Sequence, residues 1–412
     1  MQKSVAFYTL GCKVNQAESR RLTDALRDDG WQEVDSRECA SVYVVNSCAV
    51  TAESARKTRQ AVRRFKKNNP EATIALIGCM PSITPNLGEK LPEADIILPQ
   101  AEKDTLPQKL RELAMHTKEN PPLPTAYSRS PAVRAAVKIQ DGCDRFCSYC
   151  VIPLARGKAK SVPVEEILDE CKSLLARGVR EIILTGINLC SWGKEFGLDI
   201  GDIACQVGNL DGLLRLRLGS LEPDLLSREL LIKLSDTEKL CPHFHLSLQS
   251  GSDSVLKRMN RRYDTAHYRE LCQMLRTIFP NPTITTDIIT GFPGETEDEF
   301  AQSLAFAREI AFADVHVFPY SPRNGTKAAA MPGQLPKSLK EARAKLMIAE
   351  TQKIRKAYLA SQADKTMEVL IEEQDAEGFW RGYSVNYLPV RFKGEGAVGQ
   401  LRILDTGYRL QG

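Results

Sequence analysis

Two alternations of strand-like and helix-like pattern, separated by a proline-rich break, constrain this 412-residue chain more than any other feature. In the first, Val5–Leu10, Val42–Asn46 and Thr73–Ile77 are short β-rich runs. Gln16–Asp28 and Ala52–Lys67 carry helical patterns between them. Strands that alternate with helices predict βαβ units around a parallel sheet. A break over 116–131, with Pro121, Pro122, Pro124 and Pro131, reads as a linker. The second alternation has six strand candidates: Ala135–Ile139, Glu181–Thr185, Leu214–Gly219, Phe244–Leu248, Ile284–Ile288 and Asp314–Phe318. Six βα repeats predict a partial barrel whose working face lies at the strand C-termini. Beyond a long polar helix near Lys337–Ser361, short strands with glycine punctuation predict a small all-β barrel. The fold class expected is α/β, in four parts: an α/β domain over 1–115, a linker over 116–133, the partial barrel over 134–361 and the β-barrel over 362–412.

Twelve cysteines make the chain chemically unusual. No apolar run approaches the ~18–20 residues that span a bilayer, and the N-terminus reads directly into a strand. The expectation is a cytoplasmic protein. In a reducing compartment cysteines serve as metal ligands, reactive thiols or small buried hydrophobes rather than disulfides.

Cys143, Cys147 and Cys150 form a C-x3-C-x2-C loop directly after the first barrel strand. A cubane [4Fe–4S] cluster takes four thiolates, so three leave one iron open to a small molecule's amino and carboxylate groups. A zinc site is the alternative and wants a fourth ligand nearby. The nearest histidines, His116 and His243, are remote in sequence. Cys12, Cys48 and Cys79 each follow one strand of the first alternation, spaced by 36 and 31 residues. In a parallel sheet those loops open on one edge, the edge where such sheets bind ligands. Three thiols in phase fit a second cluster with an open iron better than they fit packing. Cys39, Cys171, Cys190, Cys205, Cys241 and Cys272 have no ligand-like spacing and read as packing residues.

The C-x3-C-x2-C loop, with Tyr149 before its last cysteine, resembles the radical S-adenosylmethionine superfamily. That resemblance implies two things: a six-fold βα partial barrel, and one-electron cleavage of the sulfonium to a 5′-deoxyadenosyl radical. It further implies that Tyr149, Gly186, Asn188, Ser220, Glu222, Gln249, Asp287 and Gly291 contact S-adenosylmethionine. Thr9–Ser19 and Lys138–Cys143, with the second cysteine set, resemble the radical methylthiotransferases, and the MtaB type in particular. The resemblance covers essentially the whole chain, including a TRAM-like C-terminal barrel. It implies methylthiolation of carbon 2 of N6-threonylcarbamoyladenosine at position 37 of transfer RNA. Two S-adenosylmethionine molecules and two [4Fe–4S] clusters are implied, on Cys12, Cys48 and Cys79 and on Cys143, Cys147 and Cys150. An external electron donor and a sulfur source are implied partners. The chain departs from the family pattern at Asp144, Leu154 and Met80–Ser82.

Net charge is only +4, so RNA contact must come from local clustering. Arg56, Arg59, Arg63 and Lys67 fall on one face of the Ala52–Lys67 pattern and suit a phosphate backbone. Arg156, Lys158 and Lys160 follow the cysteine loop and are placed to meet a substrate phosphate. Residues 365–412 hold six Lys/Arg against seven Asp/Glu, so RNA there would have to stack on Phe379, Trp380, Tyr383 and Tyr387, which the pattern equally allows as barrel core. Competing readings are methylthiolation of isopentenyladenosine or of a ribosomal-protein aspartate, a two-cluster electron carrier, and a zinc-binding RNA module.

Overall fold

The computed structural model describes residues 3–115, 132–405 and 407–410; the expected linker over 116–131 lies outside them. The chain divides into two compact units. One comprises 1–130, 141–159 and 321–329; the other comprises 131–140, 160–320 and 330–412.

The first unit is built on a five-stranded sheet. Its elements in order are β1 Ser4–Thr9, α1 Lys13–Asp28, β2 Gln32–Glu33, β3 Val42–Ser47, α2 Ala52–Asn68, β4 Thr73–Gly78, α3 Cys79–Ile83, α4 Leu87–Lys90, β5 Ile96–Pro99 and α5 Leu106–Met115. The strands are all parallel, in the order β2-β1-β3-β4-β5. Alternate side chains of β3 and β4 enter two cores. Tyr43, Val45, Ile74 and Leu76 meet Val62 and Phe65 of α2. Val42, Val44, Ala75 and Ile77 meet Leu22 and Leu26 of α1 and Leu110 of α5. Burial on both faces explains why these strands read as continuous apolar runs. The sequence pattern missed β2 and β5 because they are short and partly exposed.

Among the described residues the second unit holds seven parallel strand segments, two of which, Arg215–Leu218 and Ser220–Leu221, are separated only by Gly219. Arg134–Lys138, Glu181–Thr185 and Arg215–Leu218 form one sheet; Ser220–Leu221, His243–Leu246, Thr283–Thr290 and Asp314–Pro319 form another. A parallel bridge between Leu216 and Leu240 joins them into the expected partial barrel. Leucines 216 and 218 enter its core, while Arg215 and Arg217 between them turn the other way and are nearly fully buried. Those arginines hold the C-terminal segment. Arg217 is 2.8 Å from Glu181 and donates to the carbonyls of Val385 and Ser384; Arg215 donates to those of Tyr383 and Glu368. The segment is a curled antiparallel sheet of five strands, in the order 401–404, 367–374, 380–384, 389–392, 408–410. The last of them, Tyr408–Leu410, is only three residues long. Ile200–Gly208 is another element the pattern missed. Its glycines at 201 and 208 weaken the helical signal, and a capping box between Asp199 and Asp202 supplies the start. No described helix is long and apolar enough to cross a membrane.

Candidate active site

β1, β3 and β4 are adjacent in the sheet, and a cysteine follows each at its C-terminal end. Cys12 caps α1, Cys48 follows β3 directly, and Cys79 opens α3. Hydrogen bonds tie the three loops together. Asn15 Nδ2 donates to the carbonyls of Leu10 (2.7 Å) and Ser47 (3.1 Å). Ser47 Oγ donates to the Ile77 carbonyl (2.7 Å) and accepts from the Met80 N–H (3.1 Å). A Cβ on Gly11, whose φ is +102°, would stand 2.9 Å from Cys48 Cβ, so only glycine lets the Cys12 and Cys48 loops approach this closely. The unusual Met80–Ser82 stretch joins this network, since Ser82 Oγ accepts from Gln100 N–H at 2.8 Å.

All three thiols are free, with Cys48 and Cys79 buried and Cys12 exposed. Burial pushes the Cys79 thiol up to about 11, against the pull of Arg156. Burial also raises Cys48, and the Cys12 thiol beside it adds to the effect. Arg156 Nε donates to Cys79 Sγ at 3.3 Å. Arg323, partly buried and with Nε unpartnered, lies within electrostatic range of Cys48. Three thiols with two guanidinium groups beside them suit an anionic thiolate-bound centre, because nearby cations favour thiolate and tune the centre it holds.

Arg156 is expected from the sequence to meet a substrate phosphate. Its side chain is instead fully buried. It bonds Glu18 and Asp141 (each 2.9 Å) and Asn15 Oδ1 (2.7 Å). Buried Glu18 also pairs with Lys103 and accepts from Gln100. A buried carboxylate of this kind holds its cations because leaving either charge unpaired is costly. Buried in this way, Arg156 is not available to a substrate phosphate. Lys158 and Lys160 are exposed as expected.

The Cys143–Cys150 loop packs in the same unit as Cys12, Cys48 and Cys79, although its sequence follows a barrel strand. Cys143 N–H donates to the Gly157 carbonyl (3.0 Å), and Cys150 N–H to that of Cys147 (2.9 Å). Gly142 has φ +67°, and a Cβ there would lie 1.9 Å from the Lys158 carbonyl oxygen. Its absence lets the loop close on its own return strand. The three cysteines are half-buried. Phe146, between the first two, has a left-handed φ of +51° and is 57% exposed. Ala49, Cys79, Val151 and Ala155 form one apolar cluster. Neighbours of Cys48 and of Cys150 thus meet around Cys79. Three thiols on a tight loop suit a cluster with one iron free of protein ligands. Asp144 and Leu154, the other departures, are accommodated: Asp144 accepts from Ala159 N–H (3.2 Å), and Leu154 is 54% exposed.

Of the residues expected at S-adenosylmethionine, Tyr149 lies on this loop and the rest are in the second unit. Asn188 is buried with Oδ1 unpartnered, while its N–H donates to Gln140 Oε1 at 2.8 Å. That orphan acceptor fits an ammonium donor. Gly186 lies against Gln140, where a Cβ would come within 2.8 Å. Ser220 is exposed, and Glu222 is ion-paired with Arg261. Gln249 has φ +72°, and its backbone bridges 283–290. Asp287 sits against His245 (3.3 Å), and Gly291 against Lys340 and Glu295.

On α2, Arg59 is half-exposed and Lys67 exposed, while Arg56 and Arg63 pair with Glu53 and Glu93. Tyr383 and Tyr387 stack on each other and under Arg134, inside the second unit, so they present no free stacking face. Phe379 carries Arg391 and Lys393 over its ring. Of the six cysteines read as packing residues, Cys171, Cys190, Cys241 and Cys272 are buried, but Cys39 and Cys205 are exposed.

Residues 137–307 match the Radical SAM superfamily, and residues 4–99 match the uncharacterized protein family UPF0004. A Bacillus subtilis protein, "Threonylcarbamoyladenosine tRNA methylthiotransferase MtaB", is 33% identical over 98% of this chain and 94% of its own length. The chain belongs to the radical SAM methylthiotransferases. It is an enzyme of that class, of the MtaB type. This methylthiotransferase also matches a Moorella thermoacetica "tRNA-2-methylthio-N(6)-dimethylallyladenosine synthase" at 35% identity, over 90% of this chain and 87% of that one. Its fold resembles the radical S-adenosylmethionine methyltransferase TsrM of Kitasatospora setae, with a TM-score of 0.56 and 14% identity over 78% of this chain and 74% of that one.

Proposed function

We propose that this enzyme methylthiolates carbon 2 of N6-threonylcarbamoyladenosine at position 37 of transfer RNA, in the cytoplasm. On this reading Cys143, Cys147 and Cys150 hold the cluster that binds S-adenosylmethionine, and Cys12, Cys48 and Cys79 hold a second. When bound, the clusters and two S-adenosylmethionine molecules supply the one-electron cleavage, the sulfur and the methyl group that polar substitution at an aromatic C–H cannot. An external reductant and a sulfur source complete the set.

The chain's own contribution is positional. Asn15 and Ser47 hold the three dispersed thiols at one sheet edge. Arg156 holds that edge to the helix after the contiguous cysteines and donates to Cys79 Sγ. Asn188 Oδ1 offers an acceptor to the methionine amino group. Half-exposed Arg59 and exposed Lys67, Lys158 and Lys160 offer phosphate contacts. The observation that carries the reading is the packing of Ala49, beside Cys48, and Val151, beside Cys150, with Cys79 in one unit.

A dimethylallyladenosine substrate is the second reading, because relatives so named match at 35%. The test is reconstitution with each modified anticodon stem-loop and nucleoside mass spectrometry. A 2-methylthio product on the threonylcarbamoyl RNA is expected. Product on the dimethylallyl RNA alone would replace this reading with the second.

A further inference from the structure

Whole-chain identity does not separate a threonylcarbamoyl from a dimethylallyl substrate, since named relatives of both kinds match at 33% and 35%. We propose that His245, Asp287 and His316 form the site that reads the polar N6 substituent, which reassigns Asp287 from the S-adenosylmethionine contact that the resemblance implies, an inference that rests on the adenosine-modifying function above. These residues stand on three adjacent parallel strands, with His245 beside Thr285 and Asp287 beside His316 in register. Phe244, Leu246 and Ile288 enter the helix-covered core, and Val315 and Val317 pack against it. Strand alternation therefore turns His245, Thr285, Asp287 and His316 to the other face, the barrel lumen. The ligand atoms of His245, Asp287 and His316 lie within 4.8 Å of one another, with His245 and Asp287 half-buried and His316 exposed.

Two imidazoles and a carboxylate are also a donor set for a divalent transition metal. The hydrogen bonding points away from that use. His245 Nδ1 is 3.0 Å from Thr285 Oγ1, and Nε2 is 3.3 Å from Asp287 Oδ2. With the Thr285 hydroxyl donating to Nδ1, the proton sits on Nε2 and points at the carboxylate. Both ring nitrogens are then used. Asp287 keeps acceptor capacity, and the His316 imidazole offers a donor next to it. A threonylcarbamoyl group has urea N–H and hydroxyl donors for the first and a carboxylate for the second. A dimethylallyl group would cover the same groups with hydrocarbon and leave them unpaired, which sites built for hydrogen bonding reject strongly.

The test uses reconstituted holoenzyme and stem-loops carrying each substituent, with kcat/KM for methylthio product as the readout. The wild type should favour the threonylcarbamoyl RNA by at least about 100-fold. His316→Phe should cut that ratio about 10–100-fold, mainly through KM, and His316→Asn, which keeps a donor, should restore most of it. Esterifying the threonyl carboxylate should cost the wild type about tenfold and His316→Phe nothing further. Iron content of each variant serves as the folding check. Equal ratios in the wild type and both variants overturn the lumenal site alone. A wild type that ignores the threonylcarbamoyl RNA overturns the functional reading and this one with it. Stoichiometric zinc retained by the wild type and lost in His316→Phe overturns it in favour of a metal site.

Discussion

Cys143, Cys147 and Cys150 lie within eight consecutive residues, whereas Cys12, Cys48 and Cys79 span sixty-eight. Both sets end in the same compact unit. The contiguous set is shaped locally, by a loop that closes on Gly157 and Lys158. The dispersed set exists only when β1, β3 and β4 lie side by side, and Asn15 and Ser47 then lace its loops. One site is therefore a property of a segment, the other of a fold. Arg156 is where they join: it follows the first set in sequence and bonds the second in space.

The sharpest break comes from the contiguous cysteines. Replacing Cys143, Cys147 and Cys150 with alanine should abolish 5′-deoxyadenosine formation, measured by chromatography of the anaerobic reaction. The fold should persist, since the loop's backbone bonds do not use the thiols. Arg156→Gln comes next and strikes the junction. It removes one of the cations that Glu18 pairs with and should destabilise the first unit by about 3–5 kcal/mol, read as a lowered thermal midpoint. Unchanged stability would remove Arg156 from its central place. Gly142→Ala separates the two sites. Overpacking against Lys158 should cost about 1–3 kcal/mol and lower iron on the contiguous set while sparing the dispersed one. The smallest effect is at the surface. Arg59→Ala with Lys67→Ala should reduce the slope of log affinity for RNA against log salt by about 2.

The difference between the sites also explains what was legible. The contiguous motif needs no fold to be seen. The dispersed cysteines were legible because strand ends in a parallel sheet are in phase, and the sheet order places those three strands together. Arg156 was not: one arginine after a cysteine loop carries no mark of burial, and its partners Glu18, Asn15 and Cys79 are over seventy residues away. The aromatic residues of the C-terminal sheet allow two readings in the sequence, stacking surface or barrel core. Only Arg134 over Tyr383 and the carbonyl bonds of Arg215 and Arg217, which fasten that segment, favour the second for Tyr383 and Tyr387. His245, Asp287 and His316 sit in strands that were recognised, but only the register shows that they meet.

The central claim is that the fold builds a second cluster site from Cys12, Cys48 and Cys79. Its most direct test is iron per chain, with 5′-deoxyadenosine and methylthio product, for the triple alanine variant of those three residues. The account predicts about eight irons in the wild type and about four in the variant, with S-adenosylmethionine cleavage kept and methylthio product lost. An unchanged iron count, or continued methylthiolation, would contradict it.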